Sequence, residues 1–571
     1  MPERRPPLTS VKWTVCVFAL ALLLAACATT PPATPSAQRL ADTATPGDAV
    51  VAQTALPAAT VAPARSPSAT VTVWTPPTRL PLPGEPSRTP TPCAGQCPTA
   101  RPTWTSRPTT PRPTHTPTPT PLYGAGTPLP GSLETITAAN ADRLNLLARL
   151  GRARGLRAFS PDGTLLAATS GDEPSYTTHL FRTSDGQQAF EVGGDFVVFS
   201  PSGAFVEVCF EWGYGGCLHY GLYRVSDGAL ALDVAGANET LIPPVFSLDA
   251  SLLATAEGDW PNYTTRLYRV ASGTTAGQDA LTLVSAIEGL WPLFSPDSTL
   301  LAITSGDDLG TTHLYRTDDG RLALTLEGSS SVFSPDGSLV ATGGGDGNVR
   351  LYRTIDGQRV LSIPGDIGHV RTRWRSDPGA FSSDGAWLRV FSQVECTEGG
   401  CWYRNPSVYR LSDGSLVLEV EGNWASFSPD GTLLVLRVEN GSGSATTTQL
   451  YRVSDGRLVS TFTGAYPVLS SDGALLASDG GLYRTSDGSR VLEAQDSWTN
   501  YDFVSDGALL VTAESGRDRV VRVYCASDGR SMFEARSSVP DPESSDFAVN
   551  PNGTLLAIAT DAGIELWGIA P

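Results

Sequence analysis

Short apolar stretches alternate with turn-forming residues from about residue 144 to the C-terminus. In residues 332–363, the clearest example, four apolar runs are separated by Pro-Asp-Gly, Asp-Gly and a second Asp-Gly. Proline fixes φ and glycine supplies the positive φ of a tight turn, so this pattern predicts four antiparallel strands joined by hairpins. Such a sheet cannot bury both of its faces alone, and its neighbours should therefore be further copies of the same unit.

The unit recurs ten times when the copies are aligned on the last apolar residue of the first strand. These residues are Phe159, Phe199, Phe246, Phe294, Phe333, Phe381, Phe427, Leu469, Phe503 and Val549. Successive copies are 34–48 residues apart, which brackets the ~40 to 45 typical of a four-stranded propeller blade. Each copy also has an aromatic residue in its third strand: Phe181, Tyr223, Tyr268, Tyr315, Tyr352, Tyr409, Tyr451, Tyr483, Tyr524 and Trp567.

The repeat over residues 144–571 resembles the WD40-type β-propellers, and a related bacterial propeller subfamily fits equally well. The Trp-Asp pair of the WD40 family is replaced by Tyr-Arg or Phe-Arg in eight copies, and a Gly-His pair occurs only at Gly368-His369. The family's buried His-Asp network is therefore not expected here. The resemblance implies an all-β fold, a propeller of about ten four-stranded antiparallel blades.

The last copy ends after its third strand, whereas a spare apolar segment, residues 144–150, precedes the first copy. Pairing this segment with residues 563–569 would complete the last blade and remove an open sheet edge. Ten blades exceed the usual four to eight. The alternatives are one wide ring, favoured by the even spacing, and two smaller rings.

The N-terminal residues resemble a bacterial lipoprotein signal. Basic residues precede an apolar run at residues 14–24 that is too short to span a bilayer, and Leu24-Ala-Ala-Cys27 ends it. We expect residues 1–26 to be removed and Cys27 to be lipidated; an ordinary secretory signal with Cys27 incidental is the alternative. Residues 27–131 are rich in Thr and Pro and predict a disordered tether. Residues 132–571 form the predicted propeller.

The remaining cysteines suit an exported protein. Six of them form three close pairs, Cys93/Cys97, Cys209/Cys217 and Cys396/Cys401, which we predict to be disulfides. The last two pairs occupy the same place, between the second and third strands, in copies two and six. Cys525, within a strand, is expected to be a buried free thiol.

Charge argues against a nucleic-acid partner. The formal net charge is −18, and residues 132–571 alone carry 30 basic and 54 acidic side chains. Only five histidines occur, and His179 and His313 share a strand position that holds Arg266 and Gln449 in other copies. No metal site, cofactor motif or Ser/His/Asp set is therefore predicted, and the recurrent aspartates are expected to form turns.

Sequence variation is confined to one side of the repeat array. The second-to-third loops and the connections between copies vary, and such a face is free to serve function. Aromatic residues that could anchor a peptide or stack on a sugar concentrate there. They are Trp212, Tyr214, Trp260, Tyr263, Trp374, Trp402, Tyr403, Trp498 and Tyr501.

These observations predict a surface-displayed binding or scaffold module, anchored in the cell membrane by its lipid, that recognises a protein, peptide or glycan of the cell envelope. One alternative is a propeller glycoside hydrolase, for which paired carboxylates are needed and Glu211, Glu395 and Glu398 are the candidates. A structural envelope protein is another.

Overall fold

A computed structural model describes the propeller region of the chain. The described residues are 121–123, 126–151, 153, 155–171, 175–213, 216–235, 242–258, 262–271, 281–304, 310–343, 346–367, 380–397, 400–422, 424–439, 446–494, 498–514, 519–538 and 545–571. Backbone alone is described at 196, 212, 213, 216, 242, 393–397, 400–404 and 439.

The described chain forms a single short 3-10 helix, Ala141–Arg143, and 39 strands. The first strand is β1 (Asn145–Leu150). Blades 1 to 3 contain β2 (Gly155–Phe159), β3 (Leu165–Ser170), β4 (Thr177–Arg182), β5 (Gln188–Gly193), β6 (Asp195–Phe199), β7 (Phe205–Gly213), β8 (Gly216–Arg224), β9 (Leu230–Ala235), β10 (Ile242–Phe246), β11 (Leu252–Glu257), β12 (Thr264–Val270) and β13 (Leu281–Glu288). Blades 4 to 6 contain β14 (Leu290–Phe294), β15 (Leu300–Thr304), β16 (Thr311–Arg316), β17 (Leu322–Glu327), β18 (Ser330–Phe333), β19 (Leu339–Gly343), β20 (Asn348–Arg353), β21 (Arg359–Pro364), β22 (Trp387–Thr397), β23 (Gly400–Arg410) and β24 (Leu416–Glu419). Blades 7 to 10 contain β25 (Trp424–Phe427), β26 (Leu433–Glu439), β27 (Thr446–Arg452), β28 (Arg457–Thr463), β29 (Val468–Leu469), β30 (Leu475–Ser478), β31 (Gly481–Arg484), β32 (Arg490–Glu493), β33 (Trp498–Val504), β34 (Leu509–Glu514), β35 (Arg519–Cys525), β36 (Ser531–Ser537), β37 (Phe547–Val549), β38 (Leu555–Thr560) and β39 (Gly563–Gly568).

Within the described residues these strands form ten antiparallel sheets, which confirms the ten-bladed propeller. Nine sheets have four strands, and in blade 6 the isolated bridge between Phe381 and Leu388 takes the place of the first strand. First strands of successive blades touch one another, as β2 touches β6 and β10 touches β14. They therefore surround the axis of the ring, and the fourth strands lie outermost.

The closing strand is also confirmed. β1 pairs with β39, with Arg149 opposite Glu565 and Leu150 opposite Ile564, so the last blade runs β37, β38, β39, β1 from inside to outside. Arg149 and Glu565 form an ion pair at 2.9 Å across this junction. The N-terminal segment thereby removes the open edge of the last sheet.

The apolar core is divided among the junctions between blades. Leu165 and Ala167 of blade 1 pack against Val206 and Val208 of blade 2, and comparable clusters join every later pair of neighbouring blades. A final cluster joins blade 10 to blade 1. Because the last blade packs against the first, the ten blades form one ring rather than two.

Described residues before 132 also contact the propeller. The backbone N–H groups of Leu122 and Tyr123 donate to the carbonyls of Leu146 and Leu147 in β1. Leu129 is buried in the cluster between blades 10 and 1. Leu122, Tyr123 and Leu129 thus lie across the closing junction.

Candidate functional site

The antiparallel order of each blade gives the ring two different rims. Turns between first and second strands and between third and fourth strands lie on one side, which we call the uniform rim. Turns between second and third strands and connections between blades lie on the other, which we call the variable rim.

The uniform rim is built from one repeated turn. In seven blades a serine hydroxyl donates to the aspartate two residues later at 2.5–2.6 Å, as Ser334 does to Asp336. Hydrogen bonds from the Ser334 and Ser338 hydroxyls lower the pKa of Asp336. In the third-to-fourth turns an arginine pairs with the aspartate three residues later, as Arg182 does with Asp185 at 3.2 Å. The recurrent aspartates therefore serve as turn residues, as expected.

Two long hairpins distinguish the variable rim. β7 and β8 of blade 2 have nine residues each, and β22 and β23 of blade 6 have eleven. The second and third strands of other blades have four to seven. What we expected as long loops are thus largely extended strands, and at ~3.3 Å per residue the blade 6 hairpin runs roughly 15 Å past its neighbours.

One of the predicted disulfides is confirmed. Cys209 and Cys217 are bonded in the blade 2 hairpin, with Cα atoms 5.7 Å apart. In blade 6 the backbones of Cys396 and Cys401 are directly opposite each other in the strand register, although their side chains lie outside the described residues. Cys93 and Cys97 also lie outside them. Cys525 is a free, buried thiol, as expected.

Two of the aromatic residues predicted for the variable rim lie in the core instead. Trp498 and Tyr501 lie in β33 rather than in a connection, and each is only 3% exposed in the core between blades 8 and 9. A partner cannot reach them, and we leave both out of the binding surface. Tyr263 is half-buried beside β12.

The side chains of the other aromatic residues predicted for the variable rim lie outside the described part of the chain. Trp212 lies in β7, and Trp402 and Tyr403 lie in β23, with backbone described and side chains not. Tyr214, Trp260 and Trp374 lie outside the described residues. Their role in binding stays a prediction.

Three aromatic residues on the inner strands were missed by the sequence analysis. Trp291, Trp424 and Tyr466 each stand three residues before the last residue of the first-strand repeat, at the variable-rim end. Trp291 and Trp424 are half-buried, and Tyr466 is 40% exposed. The signal was present in Trp291-Pro and Tyr466-Pro, which occupy the same position in copies four and eight.

The structure also brings together a serine, a histidine and a carboxylate. Ser170 Oγ is 2.7 Å from His179 Nε2, and His179 Nδ1 is 3.3 Å from Glu191 and 3.0 Å from the side-chain oxygen of Gln188. Sequence analysis had found no such set. Arg266 and Gln449 occupy the equivalent strand position in other blades, so a polar contact between strands accounts for this arrangement.

The carboxylates considered for glycoside hydrolysis are only partly described. Glu211 is exposed on β7, Glu395 is described by its backbone, and Glu398 lies outside the described residues. Among described side chains, no group of three His, Cys, Asp or Glu residues is placed to hold a metal ion. In the same part of the chain, no helix has the length and hydropathy of a membrane span.

One known repeat family matches part of the propeller region. Residues 320–353, from the third-to-fourth turn of blade 4 through β20 of blade 5, match the family described as WD domain, G-beta repeat. A solved structure described as the eukaryotic initiation factor is 14% identical, covers 67% of this chain and 88% of its own, and has a TM-score of 0.42. The C-terminal WD40 domain of Sif2 is also 14% identical, covers 66% and 97%, and has a TM-score of 0.36. No curated protein sequence matches the chain.

Proposed function

We propose that this protein is a lipid-anchored binding module that presents the variable rim of its propeller to a partner in the cell envelope. The observation that supports this most directly is the pair of long hairpins, β7–β8 and β22–β23, on one rim. Structural elements that exceed the needs of the repeat, and that lie on one face of a repeat array, are typical of recognition surfaces.

Binding surfaces of this kind need rigid support. The blade 2 hairpin is held by the Cys209–Cys217 disulfide, and both hairpins continue strands whose inner ends are buried between blades. A surface fixed in this way loses little conformational entropy when a partner binds. The short turns of the uniform rim offer no comparable projection.

The anchoring part of the proposal is supported by the sequence alone. Leu24-Ala-Ala-Cys27 ends an apolar run, and the Thr- and Pro-rich tether predicted at residues 27–131 would separate lipid from propeller. Export of the chain with a radiolabelled or clickable palmitate should label the wild type and leave Cys27→Ala unlabelled. An unlabelled wild type would reject the anchor without affecting the binding surface.

Binding is tested by comparing variants of the full-length protein in capture from the native envelope. Combined substitution of Trp212, Trp260 and Trp402 by alanine, or replacement of residues 393–404 by Asn-Gly, should abolish capture of the partner and leave the thermal transition of the ring unchanged. Ile355→Ala is the matched control, because this side chain is 87% exposed on the uniform rim. Capture retained by both rim variants, or lost equally in the control, would contradict the proposal.

A further inference from the structure

Two inner strands begin with the same unusual backbone. Gly289-Leu-Trp291-Pro292 in blade 4 and Gly464-Ala-Tyr466-Pro467 in blade 8 are in equivalent register. Trp291 has φ 61° and Tyr466 has φ 56°. Aromatic residues rarely adopt a positive φ, and residues with such strained backbones are concentrated at binding and catalytic sites.

The backbone of the blade 8 segment is held by several hydrogen bonds. The Tyr501 hydroxyl donates to the carbonyls of Tyr466 and Ala465 at 2.6 and 3.0 Å. The Ala465 N–H donates to the Asp479 carboxylate at 2.7 Å. The Gly464 carbonyl accepts a bond from the Thr448 hydroxyl at 3.0 Å. Buried and half-buried groups thus fix a strained conformation at Tyr466, a residue that is 40% exposed at the inner edge of the variable rim.

Blade 4 shares the positive φ and one of these hydrogen bonds with blade 8. The Gly289 carbonyl accepts a bond from the Thr265 hydroxyl at 2.8 Å, and the strand register shifts between Leu290 and Leu293, so that Trp291 and Pro292 form a bulge. Bulges re-aim side chains and are common beside functional sites. Trp291, at positive φ and in equivalent register, is therefore a second, half-buried aromatic residue at the variable-rim end of an inner strand, four blades away.

The surroundings of Tyr466 restrict the chemistry of its ligand. The Arg437 guanidinium stands over the ring, 5.4 Å from its centroid. A cation already occupies one face, so a lysine or arginine of a basic peptide gains little by approaching the other. Arg437 would attract an anion locally, whereas the 54 acidic and 30 basic side chains of residues 132–571 oppose the approach of a strongly anionic ligand to the propeller. A neutral ligand with a flat C–H face and hydroxyl groups at its edge can stack on the other face of the ring and accept hydrogen bonds from the guanidinium at its edge.

We propose that Tyr466 and Trp291 are stacking platforms for the pyranose rings of a neutral glycan that lies across the inner edge of the variable rim. This deepens the proposed function, because it rests on the variable rim being the binding side and names the ligand class for its inner edge. Each platform forms its own subsite. An extended polysaccharide can reach both, whereas a monosaccharide can occupy only one.

The positive φ at these positions allows a sharp test. Glycine adopts φ near +60° without strain, so Tyr466→Gly and Trp291→Gly remove each ring while relieving the backbone. The full-length protein in detergent is run in native gels containing amylose, dextran, galactomannan or a β-1,3-glucan. At least one should retard the wild type, Tyr466→Gly and Trp291→Gly should each weaken binding at least tenfold, and Tyr466→Trp should restore it.

Leu458→Ala is the control, because this side chain is 51% exposed on the outer strand β28, and it should bind as the wild type does. A melting temperature unchanged in Tyr466→Gly separates a binding role from a structural one. Retardation by none of the four polysaccharides, wild-type binding by both glycine variants, or capture of a peptide instead through Tyr466 would overturn the inference. The protein with residues 393–404 replaced keeps both platforms, so glycan binding without envelope capture distinguishes failure of one proposal from failure of the other.

Discussion

Gly456 of blade 7 lies against the carbonyl oxygen of Val417 in blade 6: a Cβ at Gly456 would come within 2.7 Å of that oxygen. Gly456 belongs to a third-to-fourth turn with φ +67°. The same turn glycine packs on the preceding fourth strand in other blades, as Gly357 does on Leu324. The turn thus joins neighbouring blades as well as reversing the chain.

We therefore expect Gly456→Ala to lower the free energy of unfolding by roughly 2–3 kcal/mol, of which about 1 reflects positive φ. Gly347→Ala is the matched control, because Gly347 has φ +74° and no atom within 4 Å of its Cβ position. Urea denaturation of both variants measures the difference. Equal losses would show that the contact between blades contributes nothing.

The uniform rim should be acid-sensitive. Hydrogen bonds from Ser470 and the Ala474 N–H lower the pKa of Asp472, and those from Ser334 and Ser338 lower that of Asp336. A carboxyl whose pKa is lowered on folding stabilises the fold above its unfolded value and loses that contribution as pH falls through the folded value. Stability should thus drop below about pH 4.

Asp336→Asn should flatten part of that acid limb in denaturation curves recorded from pH 2 to 6. Ser334→Ala should do the same, because it removes the main cause of the shift. An acid limb unchanged in both variants would contradict this account of the turns.

Asp502 should give the folding stability the opposite pH dependence. It lies in the inner strand β33, and burial raises its pKa to about 6. The folded state therefore favours the protonated carboxyl of Asp502. The protonated group stabilises the fold fully below pH 3.8, the pKa of the unfolded state, and this stabilisation is lost as the pH rises to about 6, the pKa of the folded state.

Asp502→Asn should accordingly stabilise the protein at pH 7 relative to the wild type, by about 3 kcal/mol, and leave it nearly unchanged at pH 4. Guanidinium denaturation at the two pH values provides the measurement. A variant equally stabilised at both values would show that the carboxylate charge is not the cause.

We predict which cysteines of the propeller form disulfides and which remains a free thiol. Peptide mapping of exported protein without reduction should find Cys209 joined to Cys217 and Cys396 joined to Cys401, while Cys525 reacts with alkylating agents only after denaturation, because it is buried. Loss of the blade 2 disulfide removes a closure of about eight residues, worth roughly 2.5 kcal/mol in the chain-entropy account.

That loss should appear locally. Cys209→Ser/Cys217→Ser should speed hydrogen exchange in β7 and β8 far more than in β22 and β23. Free thiols at 209 and 217 in the exported wild type would reject the assignment.

Closure of the ring depends on β1. Leu147 is fully buried in the cluster between blades 10 and 1, so Leu147→Ala should cost about 2–5 kcal/mol. Leu230→Ala, at a leucine that is 48% exposed on β9, should change stability by less than about 0.5 kcal/mol. Equal decreases in melting temperature for the two variants would mean that packing of β1 contributes no more to stability than an exposed leucine does.

Much of the architecture could be predicted from the sequence because turns are local. Ser334-Pro-Asp-Gly337 specifies its own geometry, and this turn with its variants in the other nine copies fixes the blade count. The spare strand before the first copy likewise predicted the pairing of β1 with β39.

The candidate site was harder, because burial and backbone strain depend on distant partners. Trp498 was judged by its polar neighbours, but its ring packs against Tyr501 and Tyr524 in the core. Tyr466 was overlooked because its exposure follows from a positive φ held by Tyr501, 35 residues away. Neither relationship can be obtained from local pattern.

The pairing of β1 with β39 also governs the order in which the ring can form. Arg149 and Glu565, which meet across that pair, are separated by 416 residues. Blades 1 to 9 can assemble from neighbouring hairpins, but β1 must wait, with its apolar side chains uncovered, until the whole repeat array has been synthesised. Closing so long a loop carries a large entropic cost and is slow. Until then β1 has no partner strand and the outer edge of the last sheet is unpaired, so completion of the ring should be the final, rate-limiting step of folding.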